Sequence, residues 1–269
     1  MTASPHDMLS QAKGHFYSLR LNEAYALFRR YFDRLPFHPE PGHAEFIGMF
    51  ARVLVELGKT SELKFYMGEL ERWHAKCPDP AIAYQLGVVY VYLPEPRIEA
   101  ARHLFERLMR DPNAKSYRLK ARMMLADYYD EKKDVAACRQ LIFGVELDTI
   151  DDLILRLMYR VWRAKILRDE GRLDEAQLIL ELVLTEVSVE SNWYVYWWSK
   201  TILARLYHLK GNKNESQKII QEVRKFLKSK RCRSLENHLR SLEEYCRPRP
   251  RGESLRPKER LIHIKEKEL

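Results

Sequence analysis

Six positions recur along this chain at nearly one spacing. Ala24, Leu63, Ala101, Cys138, Ala176 and Ser216 are separated by 39, 38, 37, 38 and 40 residues. Each is followed four and seven places on by apolar side chains, such as Phe28 and Tyr31, Phe105 and Leu108, or Leu180 and Val183. That spacing marks one face of a helix. A second series, Ala12, Ala51, Gly87, Ala126, Ala164 and Ala204, lies upstream of each mark. A small side chain there lets two helices approach closely, so each period reads as an antiparallel helix pair. Gly58, Gly171 and Gly211 stand at the step between paired stretches, where glycine takes a left-handed C-cap at low cost. A fixed period of this length implies an array of small units. With only 10 glycines in 269 residues and no alternating Val, Ile or Thr run, nothing argues for a sheet.

The expected pairs are 5–19 with 22–35, 41–57 with 60–75, 80–93 with 97–110, 115–131 with 134–147, 151–169 with 173–187, and 192–210 with 213–229. Pro39, Pro41, Pro78, Pro80, Pro94 and Pro96 punctuate the turns. A last helix over 234–245 is expected to cap the end of the array. Ala24-x3-Phe28 with Pro36, Ala101-x3-Phe105 with Pro112, and Gly87 with Tyr90 resemble the tetratricopeptide repeat over residues 5–230. The period near 38 exceeds that family's 34 or so, as helices one turn longer per pair would give, and the opening tryptophan is mostly absent. The resemblance implies an all-α fold: a right-handed α-solenoid of about six helix–turn–helix repeats with a C-terminal capping helix. It would span residues 1–246, leaving 247–269 as a basic tail or linker.

The net charge of +9 is local, since residues 210–260 hold sixteen Lys and Arg against seven Glu and carry the whole excess. Cys77, Cys138, Cys232 and Cys246 form no C-x-x-C pair and read as reduced thiols. No leader and no membrane-length apolar run is recognisable, so the expectation is a cytoplasmic protein that does not engage membranes.

No constellation of catalytic residues appears, and the chain reads as a non-enzyme without cofactor or metal. Gly58-Lys59-Thr60 looks like the end of a phosphate loop, but Val53 stands where the first glycine belongs. His74-x-x-Cys77 has metal-ligand spacing without a second pair. Asp127 and Asp130 share a helix face and read as solvated.

The segment Asn192-Trp193-Tyr194-Val195-Tyr196-Trp197-Trp198 spreads its rings over more of a helix than one buried stripe needs. Either the rings pack in the seam between pairs five and six, or some serve as an anchor for a partner or a second copy of the chain. Trp197 shares a face with Thr201, Ala204 and His208 and is expected inside, with Trp198 exposed. In the tetratricopeptide family the first helix of each pair lines a concave groove, which implies a groove with Arg52, Tyr84, Met123, Lys165, Arg168, Trp198, Arg205 and His208. Its basic and aromatic character suits a protein or peptide partner carrying acid groups. Two functions follow as expectations. One is an adaptor that binds a protein or peptide through this groove and the aromatic patch. The alternative is the sensor domain of a transcriptional regulator that meets nucleic acid through the basic C-terminal region, where the tail has Arg247, Arg249 and Arg251. The tail also reads as a solvated end or a linker into a further domain.

Overall fold

Helix-period sequence becomes helix throughout residues 5–32, 44–93, 95–230 and 232–247, which are those the computed structural model describes. Among them are thirteen α-helices and no strand. They fall into two compact units, Met1–Asp134 and Val135–Leu269. The first contains α1 (Pro5–Tyr17), α2 (Leu21–Phe32), α3 (Ala44–Glu56), α4 (Thr60–Lys76), α5 (Pro80–Tyr92), α6 (Ile98–Arg110) and α7 (Lys115–Glu131). The second contains α8 (Val135–Phe143), α9 (Leu153–Asp169), α10 (Leu173–Glu186), α11 (Val189–Leu209), α12 (Lys213–Ser229) and α13 (Arg233–Cys246). Pro36, Pro39, Pro41, Pro94, Arg249, Arg251 and the rest of the tail beyond residue 247 lie outside the described residues.

All twelve small or marked positions are buried. Ala12, Ala24, Ala126, Ala164, Ala176, Ala204 and Leu63 are fully enclosed, and Gly87 packs so closely that a Cβ on it would lie 2.6 Å from the Phe105 ring. The periodic sequence signal was therefore a packing signal.

Five turns between consecutive helices close in one geometry. Leu19, Gly58, Lys133, Gly171 and Gly211 all take positive φ, between 53° and 82°. The next amide in each case donates to the carbonyl five residues back: Arg20 to His15, Lys59 to Leu54, Asp134 to Tyr129, Arg172 to Leu167 and Asn212 to Tyr207, at 2.8 to 2.9 Å. This is a Schellman cap. The glycines marked three of these turns in the sequence. At Leu19 and Lys133 the same bonds hold a side chain in the left-handed region, which costs about 1–2 kcal/mol; burial of Leu19 helps to offset it. Gly58-Lys59-Thr60 is one of these caps, with Thr60 opening α4.

Two boundaries depart from the sequence expectation. The helix expected to reach residue 147 stops at Phe143, because Gly144 is a poor helix former and Glu146 is extended before a short 3-10 turn. The helix expected from residue 192 begins at Val189, where Ser188 and Ser191 form a capping box. Asn192 then leaves helical geometry, and its Oδ1 accepts from the Val195 amide at 3.1 Å. It acts as an internal N-cap, so the main run of α11 still begins where the apolar pattern placed it.

In the first unit α3 packs on α1, α2, α4 and α5, and α5 also meets α6 and α7. In the second, α11 packs on α9, α10, α12 and α13. Odd-numbered helices thus lie beside one another within each unit. The last helix buries Leu235 and Leu242 against α11 and α12.

Candidate functional site

The odd-numbered helices gather polar groups in both units, and the two gatherings differ. In the first, Arg52 on α3 lies over the Phe16 ring of α1, 5.4 Å from its centroid. Glu56, one turn along α3, is buried. Tyr84 on α5 stands between the rings of Phe105 and Tyr117, at 5.9 and 5.7 Å. Burial raises the pKa of Tyr84 above its ordinary value, while Arg52 opposes that shift and Asp127 reinforces it. Tyr92 responds in the same way to burial, Arg52, Asp127 and Glu56. Arg52 is therefore within electrostatic reach of both phenols, on which Asp127 acts in the opposite sense. Met123, expected to line a groove here, is buried instead, because α7 turns that side toward its helix neighbours.

In the second unit, Lys165 and Arg168 of α9, Arg205 and His208 of α11, and His238, Ser241 and Tyr245 of α13 belong to one neighbourhood. The Lys165 ammonium lies 4.1 Å from the Trp162 centroid. Arg168 is 6 % exposed and its Nε and Nη2 both donate to Asp169 Oδ1, at 3.1 and 2.9 Å. Arg205 Nη2 donates to Ser241 Oγ at 2.8 Å, and its guanidinium carbon lies 5.5 Å from the Tyr245 centroid. The His208 ring is 5.8 Å from the same tyrosine. Arg168 Nη1 and Arg205 Nε are buried without a hydrogen-bond partner. Burial, then the Arg168 charge, hold the Arg205 pKa below its usual value. Burial, Arg205 and Lys165 push His238 down to about 4, so the imidazole is neutral at pH 7 amid the cations. The sequence reading took α13 as a cap alone. The spacing of His238, Ser241 and Tyr245, three and four residues apart on one face, was the signal it missed.

Trp198 is not an exposed anchor. It is 9 % exposed, edge-on to Trp162 at 5.8 Å and against Tyr194 at the same distance. Trp193 and Trp197 are buried as well, and Tyr194 and Tyr196 are half-buried. Four helices surround α11, so far more of its circumference is covered than one core stripe needs. The large apolar side chains that are exposed among the described residues are Phe65, Leu153, Leu178 and Leu182, none of them in that segment.

His74 is half-buried and Cys77 exposed, and no group of three potential ligands surrounds a metal position among the described residues. Asp127 is exposed and Asp130 half-buried. No helix among the described residues is long and apolar enough to cross a membrane. Arg247 is exposed at the end of α13. No protein family, curated protein or solved structure matches this chain.

Proposed function

We propose that the chain is a tetratricopeptide-like α-solenoid of about six helix pairs that acts as an adaptor, binding acidic peptide segments of a protein partner on the α9–α11–α13 face. The observation that carries this reading is the charge of that face: Lys165 and Arg205 act on a neutral His238 and Arg168 acts on Arg205, with two guanidinium donors unpartnered. Arginine presents planar, charge-assisted donors suited to carboxylates. The solenoid part of the reading is supported by the recurring Schellman caps, the buried small positions and the side-by-side odd helices in each unit. The aromatic segment has no place in it as an exposed patch, because its tryptophans are buried.

The test uses fluorescence-labelled glutamate-rich and lysine-rich peptides of equal length. The glutamate-rich peptide should bind and the lysine-rich peptide should not. Lys165→Glu with Arg205→Glu should abolish binding at unchanged far-UV ellipticity. Arg168 is left intact because replacing it would take two hydrogen bonds from the buried Asp169. Equal binding by wild type and double variant would show that this face is not the site.

A second reading, contact with nucleic acid, is favoured by one observation. Lys225, Lys228, Lys230 and Arg233, at the end of α12 and the start of α13, are exposed. Phosphate contacts of this kind weaken steeply as salt rises from roughly 50 to 200 mM. A gel-shift series with and without residues 247–269 measures it; retarded complexes at neither salt would remove this reading.

A further inference from the structure

We infer that the α9–α11–α13 face has a seat for a single oxyanion, a peptide carboxylate, held between the Arg168 and Arg205 guanidiniums. This deepens the peptide-binding reading and rests on it.

The argument begins with donors. A buried donor without an acceptor costs about 1–3 kcal/mol, and more when charged. Arg168 spends Nε and Nη2 on one oxygen of Asp169 and Arg205 spends Nη2 on Ser241. Arg168 Nη1 and Arg205 Nε remain, one from each residue. Arg168 itself is more than nine-tenths buried, so its idle nitrogen has no bulk water to satisfy it.

Charge points the same way. Arg168 is bonded to Asp169, and its charge acts on Arg205 more strongly than Asp169 does, so the two guanidiniums repel each other. One added negative charge would relieve that repulsion and give both idle donors an acceptor. The surroundings are lined by rings: Trp162 under Lys165, Trp198 against Trp162, and Tyr245 beside Arg205. Rings exclude water and strengthen charge-assisted bonds beside them.

The same geometry favours a monoanion over a phosphate dianion. Arg168 is in the last turn of α9 and Arg205 is one turn from the end of α11. Helix C-termini carry partial negative charge, which opposes a second negative charge. Two donors from two residues also match the two oxygens of one carboxylate.

The experiment follows the His238 ring and the arginine Nε–H signals of the full chain by NMR while probes are added. The probes are sodium acetate, a short glutamate peptide with a free C-terminus, and inorganic phosphate. Acetate and peptide should shift the Arg205 Nε–H signal saturably and raise the His238 pKa, because a neighbouring anion favours imidazolium. Arg205→Gln, which has no Nε–H to report, should weaken the apparent affinity read at the His238 ring by about tenfold or more, and Arg205→Lys should restore little, since a lysine lacks the Nε position. A stronger response to phosphate than to acetate would overturn the carboxylate assignment. No saturable response to any probe would overturn the seat. Should the seat stay silent while Lys165→Glu with Arg205→Glu still loses the glutamate-rich peptide, the adaptor reading survives on distributed charge alone. Should acetate bind while no peptide does, the seat stands and the adaptor reading falls.

Discussion

On α3 of the first unit, Arg52 has buried Glu56 one turn away and acts on the same phenols as Asp127. On α11 of the second unit, Arg205 feels Arg168 more strongly than Asp169, which is bonded to Arg168, and shares His238 with Lys165. The two surroundings are built from odd-numbered helices that bury small residues of the same series, and α3 and α11 end in the same cap. Their backbones give no reason for the difference. It comes from which side chains the polar faces bear, and it teaches that the helix frame supplies a stage whose chemistry is set residue by residue. In the first unit carboxylates act on the same phenols as the cation; in the second, the Arg168 and Arg205 cations act on each other.

The comparison breaks most visibly through Arg168. Replacing it by Leu takes two hydrogen bonds from the buried Asp169 carboxylate and should destabilise the chain by roughly 3–5 kcal/mol in urea unfolding. Arg205→Gln should cost less than about 1 kcal/mol, because it removes a like charge as well as a bond to Ser241. Equal losses in the two variants would mean that the cation surplus is not a feature of the fold.

A smaller effect concerns pH. The folded pKa of His238 near 4 lies below the value of about 6.5 expected for the unfolded chain. Between these pH values the unfolded chain binds more protons, so this stability is present above pH 6.5 and is lost as pH falls toward 4, by up to about 3 kcal/mol. Melting temperatures of wild type and His238→Gln across that range should converge toward acid. Parallel curves would show that the imidazole does not feel Arg205 and Lys165 as described.

Packing in the first unit is tested by Gly87→Ala, whose methyl would press on the buried Phe105 ring. A loss of about 1–3 kcal/mol is expected, with no change in anion response in the second unit. The smallest effect tests the frame common to both. Lys133→Gly should stabilise by about 1 kcal/mol, since Lys133 holds φ of 62° in a cap that elsewhere uses glycine. A loss of stability would mean that the Lys133 side chain contributes more than its backbone strain costs.

The sequence by itself determined the helices and the buried small positions. Those features depend on local propensity and on a period that any packed array must repeat, so Ala24, Ala101 and Ala176 announce themselves without coordinates. It also pointed to Lys165, Arg168 and Arg205, because basic residues on first helices stand out against an apolar pattern. Only the tertiary structure decided that Trp198 and Met123 are inside. Exposure depends on how many neighbours surround a helix, and the sequence of α11 does not state that four do. It decided, too, that His238, Ser241 and Tyr245 join the cations. These residues lie more than thirty positions from Arg205, and their meeting follows from α13 packing on α11, a contact between distant segments that no local pattern encodes.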